Sequence, residues 1–298
     1  MASLSHQHYT NFDKSCDEIK SRIGQESALL EIFNELKKSA LGRFLIEHRG
    51  VNGYWTDVMV NFPNYKSDQK ENINYYDQLL LENFPAVKAT QERFGFFKQV
   101  IQAEINKGAL NILAAPCGLL PEFFDIKDKH ITDIKIDALD FDGKVSVEIS
   151  KKYHNHVLEN AYQFIQQDIF SFKEKDKYDL VVSNGLNIYI QAADKVKTLY
   201  QVFYNAMKNE GILLTSFLTP PPTCTAESPW NMNEIDFEWL MKQKTLFKDI
   251  LDVKWNCYMT EDEFIGLLRE IGFSNIQLTW DKQRMFPTVV AKKLVPPQ

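Results

Sequence analysis

The chain has 298 residues, of which 44% are hydrophobic, 13% aromatic and 25% charged, with 12 Gly and 11 Pro. This composition excludes a collagen-like, disulfide-dense or largely disordered chain and leaves a globular protein with a sizeable core, the size of one α/β domain plus an added cap. The formal charge of -6 argues against a nucleic-acid partner, because phosphate backbones are held by clustered Lys and Arg, and no run of about 18 apolar residues is present to enter a membrane.

At the N-terminus, Met1-Ala2-Ser3-Leu4-Ser5-His6 lacks the basic and apolar regions of a signal peptide. Cys16, Cys117, Cys224 and Cys257 are far apart and form no CxxC pair. These features predict a cytoplasmic chain with reduced thiols. Leu29, Leu30, Phe33 and Leu36 recur at helical spacing, then Leu41, Phe44 and Leu45, and Gly50 reads as a helix stop. Val51 to Asp57 reads as an aromatic and polar loop. Two helices are expected between Tyr75 and Lys107, the first ending before Pro85 and the second carrying Val87, Phe94, Phe97, Val100, Ile101 and Ile105.

From residue 109 the texture changes to strands alternating with helices, the pattern of a parallel sheet with right-handed crossovers. The expected strands are Asn111 to Ala115, Lys135 to Asp140, Tyr162 to Gln167, Tyr178 to Ser183 and Gly211 to Phe217, with a helix after each of the first four. Pro220-Pro221-Pro222 stops both helix and ladder, and the segment from about 218 to 259 is an insertion rich in Trp and Phe, with a helix through Phe237, Leu240 and Met241. Thr260-Glu261-Asp262-Glu263 is a capping box opening a helix that bears Phe264, Leu267, Leu268 and Ile271. Asn275 to Trp280 and Thr288 to Lys292 then make an antiparallel pair. The division expected is a helical cap over 1–108 and a core over 109–298.

Four of these strands end in polar residues on one edge. Ala114-Ala115-Pro116-Cys117-Gly118 closes the first, Asp140-Phe141-Asp142 the second, Asp168-Ile169 follows the third, and Ser183-Asn184-Gly185 the fourth. Aligned strand ends of a parallel sheet make a cofactor cleft. Asp140 lies about 20 residues beyond the glycine turn, the spacing at which a carboxylate reaches ribose hydroxyls, and Asp142 is the alternative one turn of register away.

In this order and spacing the chain resembles the class I S-adenosylmethionine-dependent methyltransferases over residues from about 90 to 294. The resemblance implies an α/β fold: a seven-stranded Rossmann-like sheet, mostly parallel with an antiparallel last strand, under the N-terminal helical cap. It implies S-adenosyl-L-methionine as cofactor, held by Ala115, Pro116, Cys117 and Gly118, by Asp140 and Phe141 at the ribose, by Asp168 and Ile169 at the adenine, and by Ser183, Asn184 and Gly185 under the methyl. The family's acidic-x-Gly-x-Gly-x-Gly loop is altered here: Ala114 replaces the acid, Pro116 the first glycine and Leu120 the last. Asp168 also fits an ordinary helix-turn cap. Strand four lacks the Asn-Pro-Pro-aromatic motif of enzymes that methylate nucleic-acid or glutamine nitrogens.

Tyr54, Trp55, Asn187, Tyr189, Trp230 and Trp239 are candidates to shape an acceptor pocket, and each equally suits a core or surface role. Arg93 reaches the cofactor carboxylate if its helix covers the cleft. Arg43, His48 and Arg49 can meet an anionic acceptor or simply face solvent. His154 and His156, two apart on an expected helix, face different ways and make no metal pair. The leading expectation is a methyltransferase acting on a small molecule. The alternatives are a protein or RNA methyltransferase, a cofactor-binding module without catalysis, and a nicotinamide-dependent oxidoreductase.

Overall fold

Strands covered on both faces have no solvent side to fill with polar residues, so their centres read as unbroken apolar runs. The computed structural model, which describes residues 11–25, 27–127, 133–253 and 257–294, has β1 (Asn111–Ala114), β2 (Lys135–Asp140), β3 (Tyr162–Gln166) and β4 (Tyr178–Ser183); β1 and β4 carry such runs, whereas Asp137 interrupts β2 and Gln163 interrupts β3, an edge strand. With β5 (Met207–Ser216), β6 (Phe273–Thr279) and β7 (Thr288–Lys293) they make a seven-stranded sheet of order β3-β2-β1-β4-β5-β7-β6. The first five pair in parallel, and β7 lies antiparallel between β5 and β6. Strand order reverses between β1 and β4, which opens a crevice at their C-terminal ends. The residues before 11, including the N-terminal hexapeptide, lie outside those described.

N-terminal to the sheet run α1 (Phe12–Ile23), α2 (Ser27–Leu36), α3 (Ala40–His48), α4 (Gly53–Asn61), α5 (Ser67–Glu71), α6 (Tyr75–Asn83) and α7 (Pro85–Asn106). Pro85 starts α7 because a first-turn residue needs no amide donor. The expected loop at 51–57 is instead the start of α4. Its Asn52 side chain accepts a hydrogen bond from the Trp55 amide at 3.0 Å, an N-cap that supplies one of the helix's missing bonds.

Between strands the chain forms α8 (Lys144–Lys152) and α9 (Ala193–Ala206), followed later by α10 (Phe237–Lys244) and α11 (Glu261–Ile271). The helices expected after β1 and β3 are absent among the described residues, where single 3-10 turns, Pro121–Phe123 and Ile169–Ser171, stand instead. After β1 the face is already covered, since Phe97, Ile101 and Ile105 of α7 share a core cluster with Ile112, Ala114 and Ile136. After β3, residues 167–177 are too few to hold a helix and both its turns. His154 and His156 likewise lie beyond the end of α8, with His156 stacked on Phe124 at 4.5 Å. β5 starts at Met207, earlier than residue 211, because Met207 pairs with Tyr178 ahead of a register shift.

The other face of the sheet is covered by α9 and α11, with Tyr200, Phe203, Phe264 and Leu268 buried against Leu213 and Val289. A further cluster joins the N-terminal helices to the insertion: Ile19, Phe33, Leu45 and Phe62 pack with Leu246 and Ile250. The two segments therefore bury one apolar surface between them above the crevice. All four cysteines are free thiols, and among the described residues no helix is long and apolar enough to cross a membrane.

The capping box forms as the sequence predicts, with the Thr260 hydroxyl accepting from the Glu263 amide at 3.3 Å and Glu263 accepting from the Thr260 amide at 2.8 Å. Thr260→Ala is expected to lower stability by about 1 kcal/mol in urea unfolding, with no change in ligand binding, because neither Thr260 nor Glu263 borders the crevice.

Candidate functional site

After β1 the chain turns through a cis Ala115-Pro116 peptide. The Cys117 amide donates to the Leu139 carbonyl at 2.9 Å, which ties this turn to β2. Gly118 follows with φ +48, in the left-handed region that suits a residue without Cβ. Asp140, at the end of β2, closes the connection: one carboxylate oxygen accepts from the Gly118 amide at 3.2 Å and the other from the Asp142 amide at 3.0 Å. Burial pushes its carboxyl above the ordinary range, and the two amides oppose that shift. A carboxylate held on the cleft floor in this way can accept hydroxyl protons from a sugar.

Asp168 accepts from the Phe170 amide at 3.0 Å, so one of its oxygens caps the turn after β3 while the residue also borders the cleft. At the end of β4, Asn184 and Gly185 border it too, and Gly185 has φ +84. The strand ends open into a cavity of about 1670 Å³, walled above by α3, α4, α6, α7 and the insertion. That volume exceeds the roughly 300–1,000 Å³ typical of a pocket for one small ligand. Its upper wall is mainly apolar, with Trp55, Met59, Phe84, Trp230, Met241 and Phe286, and also carries Glu47, His48 and Lys244.

Of the residues chosen from the sequence, the cavity wall therefore brings together Pro116, Cys117, Gly118, Asp140 and Phe141 with Asp168, Ile169, Asn184 and Gly185. Trp55 and Trp230 join them from α4 and the insertion, and Tyr189 from the turn after β4. Ala115 and Ser183 do not line it; both are buried, and the crevice is bordered by the residues that follow them in the turns after β1 and β4. Tyr54 is 48% exposed, since neighbouring helix positions point about 100° apart and Trp55 takes the inward one. Asn187 is buried behind the wall. Trp239 packs on Phe84, with ring centroids 6.2 Å apart. Arg43 lies over the Phe12 ring and Arg49 is buried near Glu18, so only His48 of that trio borders the cavity. Burial holds the His48 imidazole below its ordinary pKa.

Three residues the sequence did not single out shape the site or its charge. Gly53, at the start of α4, meets the glycine turn so closely that a Cβ there would stand 3.0 Å from the Gly118 Cα. Glu122 lies in the turn after Leu119-Leu120-Pro121; it is 6% exposed and borders the cavity, and burial pushes its carboxyl up to about 7. An acid inside an otherwise apolar run was the available signal for it. Asp57, on α4, is ion-paired with Lys152 beside it. Arg93, on α7, is 5% exposed and donates to the Ser216 hydroxyl at 3.1 Å. Its guanidinium lies over the Phe286 ring at 4.9 Å and beside Gly185, and burial lowers its pKa to about 10. Burial also raises the Cys117 thiol well above its usual range, which favours the protonated form over the nucleophilic thiolate.

No family model matches the sequence, and no curated protein matches it. Solved structures do. One described as a possible exported protein from Bordetella parapertussis is 29% identical, with a TM-score of 0.87 over 99% of this chain and 97% of that one. The CurJ carbon methyltransferase is 13% identical, with a TM-score of 0.54 over 96% of this chain and 72% of that one. Magnesium protoporphyrin IX methyltransferase from Synechocystis PCC 6803, solved with bound S-adenosylhomocysteine, is 15% identical, with a TM-score of 0.52 over 81% of this chain and 94% of that one.

Proposed function

We propose that this chain, which has the fold of the class I S-adenosylmethionine-dependent methyltransferases, transfers a methyl group from S-adenosylmethionine to a small and largely apolar molecule. The observation that carries this reading is Asp140, a carboxylate at the end of β2 within a cavity large enough for a cofactor and a second molecule together. The site suits the cofactor: Gly118 and Gly185 take the left-handed turns that bring backbone to the cleft at two strand ends, and the Asn184 side-chain oxygen is buried without a partner. Asp140 would hold the ribose hydroxyls, Asp168 and the backbone at Ile169 the adenine, and Arg93 the carboxylate.

When bound, the cofactor supplies a methyl on a sulfonium, whose departure leaves a neutral thioether. The chain's own task is to hold the acceptor in line and keep water away. Trp55, Trp230 and Phe286 on the roof suit both, and an apolar roof selects an apolar acceptor. A roofed cavity favours a small acceptor over a protein or RNA, which needs an open cleft. A cytoplasmic location goes with the four free thiols; export is a description of the Bordetella relative.

Calorimetry with S-adenosylmethionine, S-adenosylhomocysteine, NAD and NADP tests the reading. Binding of the first two alone, at about micromolar Kd, is expected; binding of a nicotinamide cofactor alone, or of none, would overturn it.

A further inference from the structure

Two oppositely charged groups are buried in the same cavity, and each has an atom with nothing to bond. Glu122 Oε2 and Arg93 Nε both lack a hydrogen-bond partner, although the side chains are only 6% and 5% exposed. A buried group left in this state is costly unless a ligand completes it. A simple anion would complete Arg93 and leave Glu122 wanting, and a simple cation would do the reverse. A group carrying both charges on one carbon completes both.

The two residues also flank the sheet's switch point. Glu122 lies four residues past Gly118, in the turn that continues from β1, and Arg93 stands beside Gly185 at the end of β4, where a glycine Cβ would come within 3.5 Å of its guanidinium. We infer that Glu122 and Arg93 clamp an α-amino-acid group, its ammonium on Glu122 and its carboxylate on Arg93. On the methyltransferase reading, on which this identification rests, that group is the amino-acid end of S-adenosylmethionine, and Glu122 supplies from the 3-10 turn the acid that β1 lacks at Ala114.

The titratable groups facing Glu122 are Arg93 from α7, Asp57 from α4, Lys152 from α8 and the Cys117 thiol from the glycine turn. The Tyr153 hydroxyl, also nearby, donates to the Leu120 carbonyl. Asp57 and Lys152 pair with each other and largely cancel. With burial dominant, the free carboxyl is partly protonated at neutral pH, and an arriving ammonium favours the ionised form. Binding should then release a proton.

The test compares S-adenosylhomocysteine with 5′-methylthioadenosine, which keeps the adenine, ribose and sulfur but has no amino-acid group. Both are titrated into the wild type and Glu122→Gln at about pH 6.5, in two buffers of different ionisation enthalpy. The wild type is expected to release a proton on binding S-adenosylhomocysteine and not on binding methylthioadenosine. Glu122→Gln should lose that release and bind S-adenosylhomocysteine at least about tenfold more weakly, with methylthioadenosine affinity unchanged, which also shows that the variant is folded. Equal S-adenosylhomocysteine affinity and equal proton release in the two proteins would overturn the clamp alone. If neither ligand binds the wild type, the cofactor reading falls and the clamp falls with it.

Discussion

Asp140→Ala is expected to weaken S-adenosylmethionine binding by about a hundredfold, because two charge-assisted hydrogen bonds to ribose hydroxyls are lost at roughly 1.5–3 kcal/mol each before partial replacement by water. Both carboxylate oxygens are held in place by the Gly118 and Asp142 amides, so the acceptor is oriented before a ligand arrives. The effect should be the same for S-adenosylhomocysteine and 5′-methylthioadenosine, which share the ribose. That sets it apart from Glu122→Gln, which should discriminate between them. The melting temperature of the free protein should move little. The bonds tying the glycine turn are lost, but so is a buried carboxylate whose ionised form burial disfavours. Calorimetry reads the affinity, and an undiminished affinity would remove Asp140 from the ribose.

Glu122 should make the free protein lose stability as pH rises. Its carboxyl stands at about 7 in the folded chain against an ordinary value of 4.5, so the folded state holds the proton more tightly than the unfolded one. The stability this provides is fully present below about 4.5 and is lost as pH rises through about 7. The difference between the two states corresponds to about 3 kcal/mol. Glu122→Gln removes that dependence, so the gap in stability between variant and wild type should move in the variant's favour by about this amount between about pH 4.5 and about pH 8. Urea unfolding of both proteins across that range measures it. A gap that stays constant with pH would mean the carboxyl ionises as an exposed one does. Ligand should restore wild-type stability at the high end, since the bound ammonium favours the ionised carboxylate.

The strand ends were legible in the sequence because each parallel strand is a short, mainly apolar segment followed at once by polar residues. Asp140 and Asp168 could be found by that rule alone, and so could the capping box of α11, where Thr260 and Glu263 interact across one turn. α4 was missed because Gly53 and two adjacent aromatics read as a turn; the Asn52 cap and the contact with Gly118 make the helix. That the helices expected after β1 and β3 do not form among the described residues was equally out of reach, since α7, from before the sheet in sequence, covers the face that the first would have filled.

By itself, then, the sequence determined the strand sequence, the parallel-to-antiparallel change at its end and the carboxylate beside the glycine turn, because local periodicity and turn chemistry act over a few residues. Tertiary structure alone decided which side chains of those strand ends face the cleft: Pro116 and Asn184 do, whereas Ala115 and Ser183 are buried. It also decided that the cap and insertion share one apolar cluster above the cleft. The meeting of Glu122 and Arg93 in one cavity was decided there as well, because the two lie on segments brought together only when α7 packs across β1, and burial, which sets their charge, is a property of everything around them.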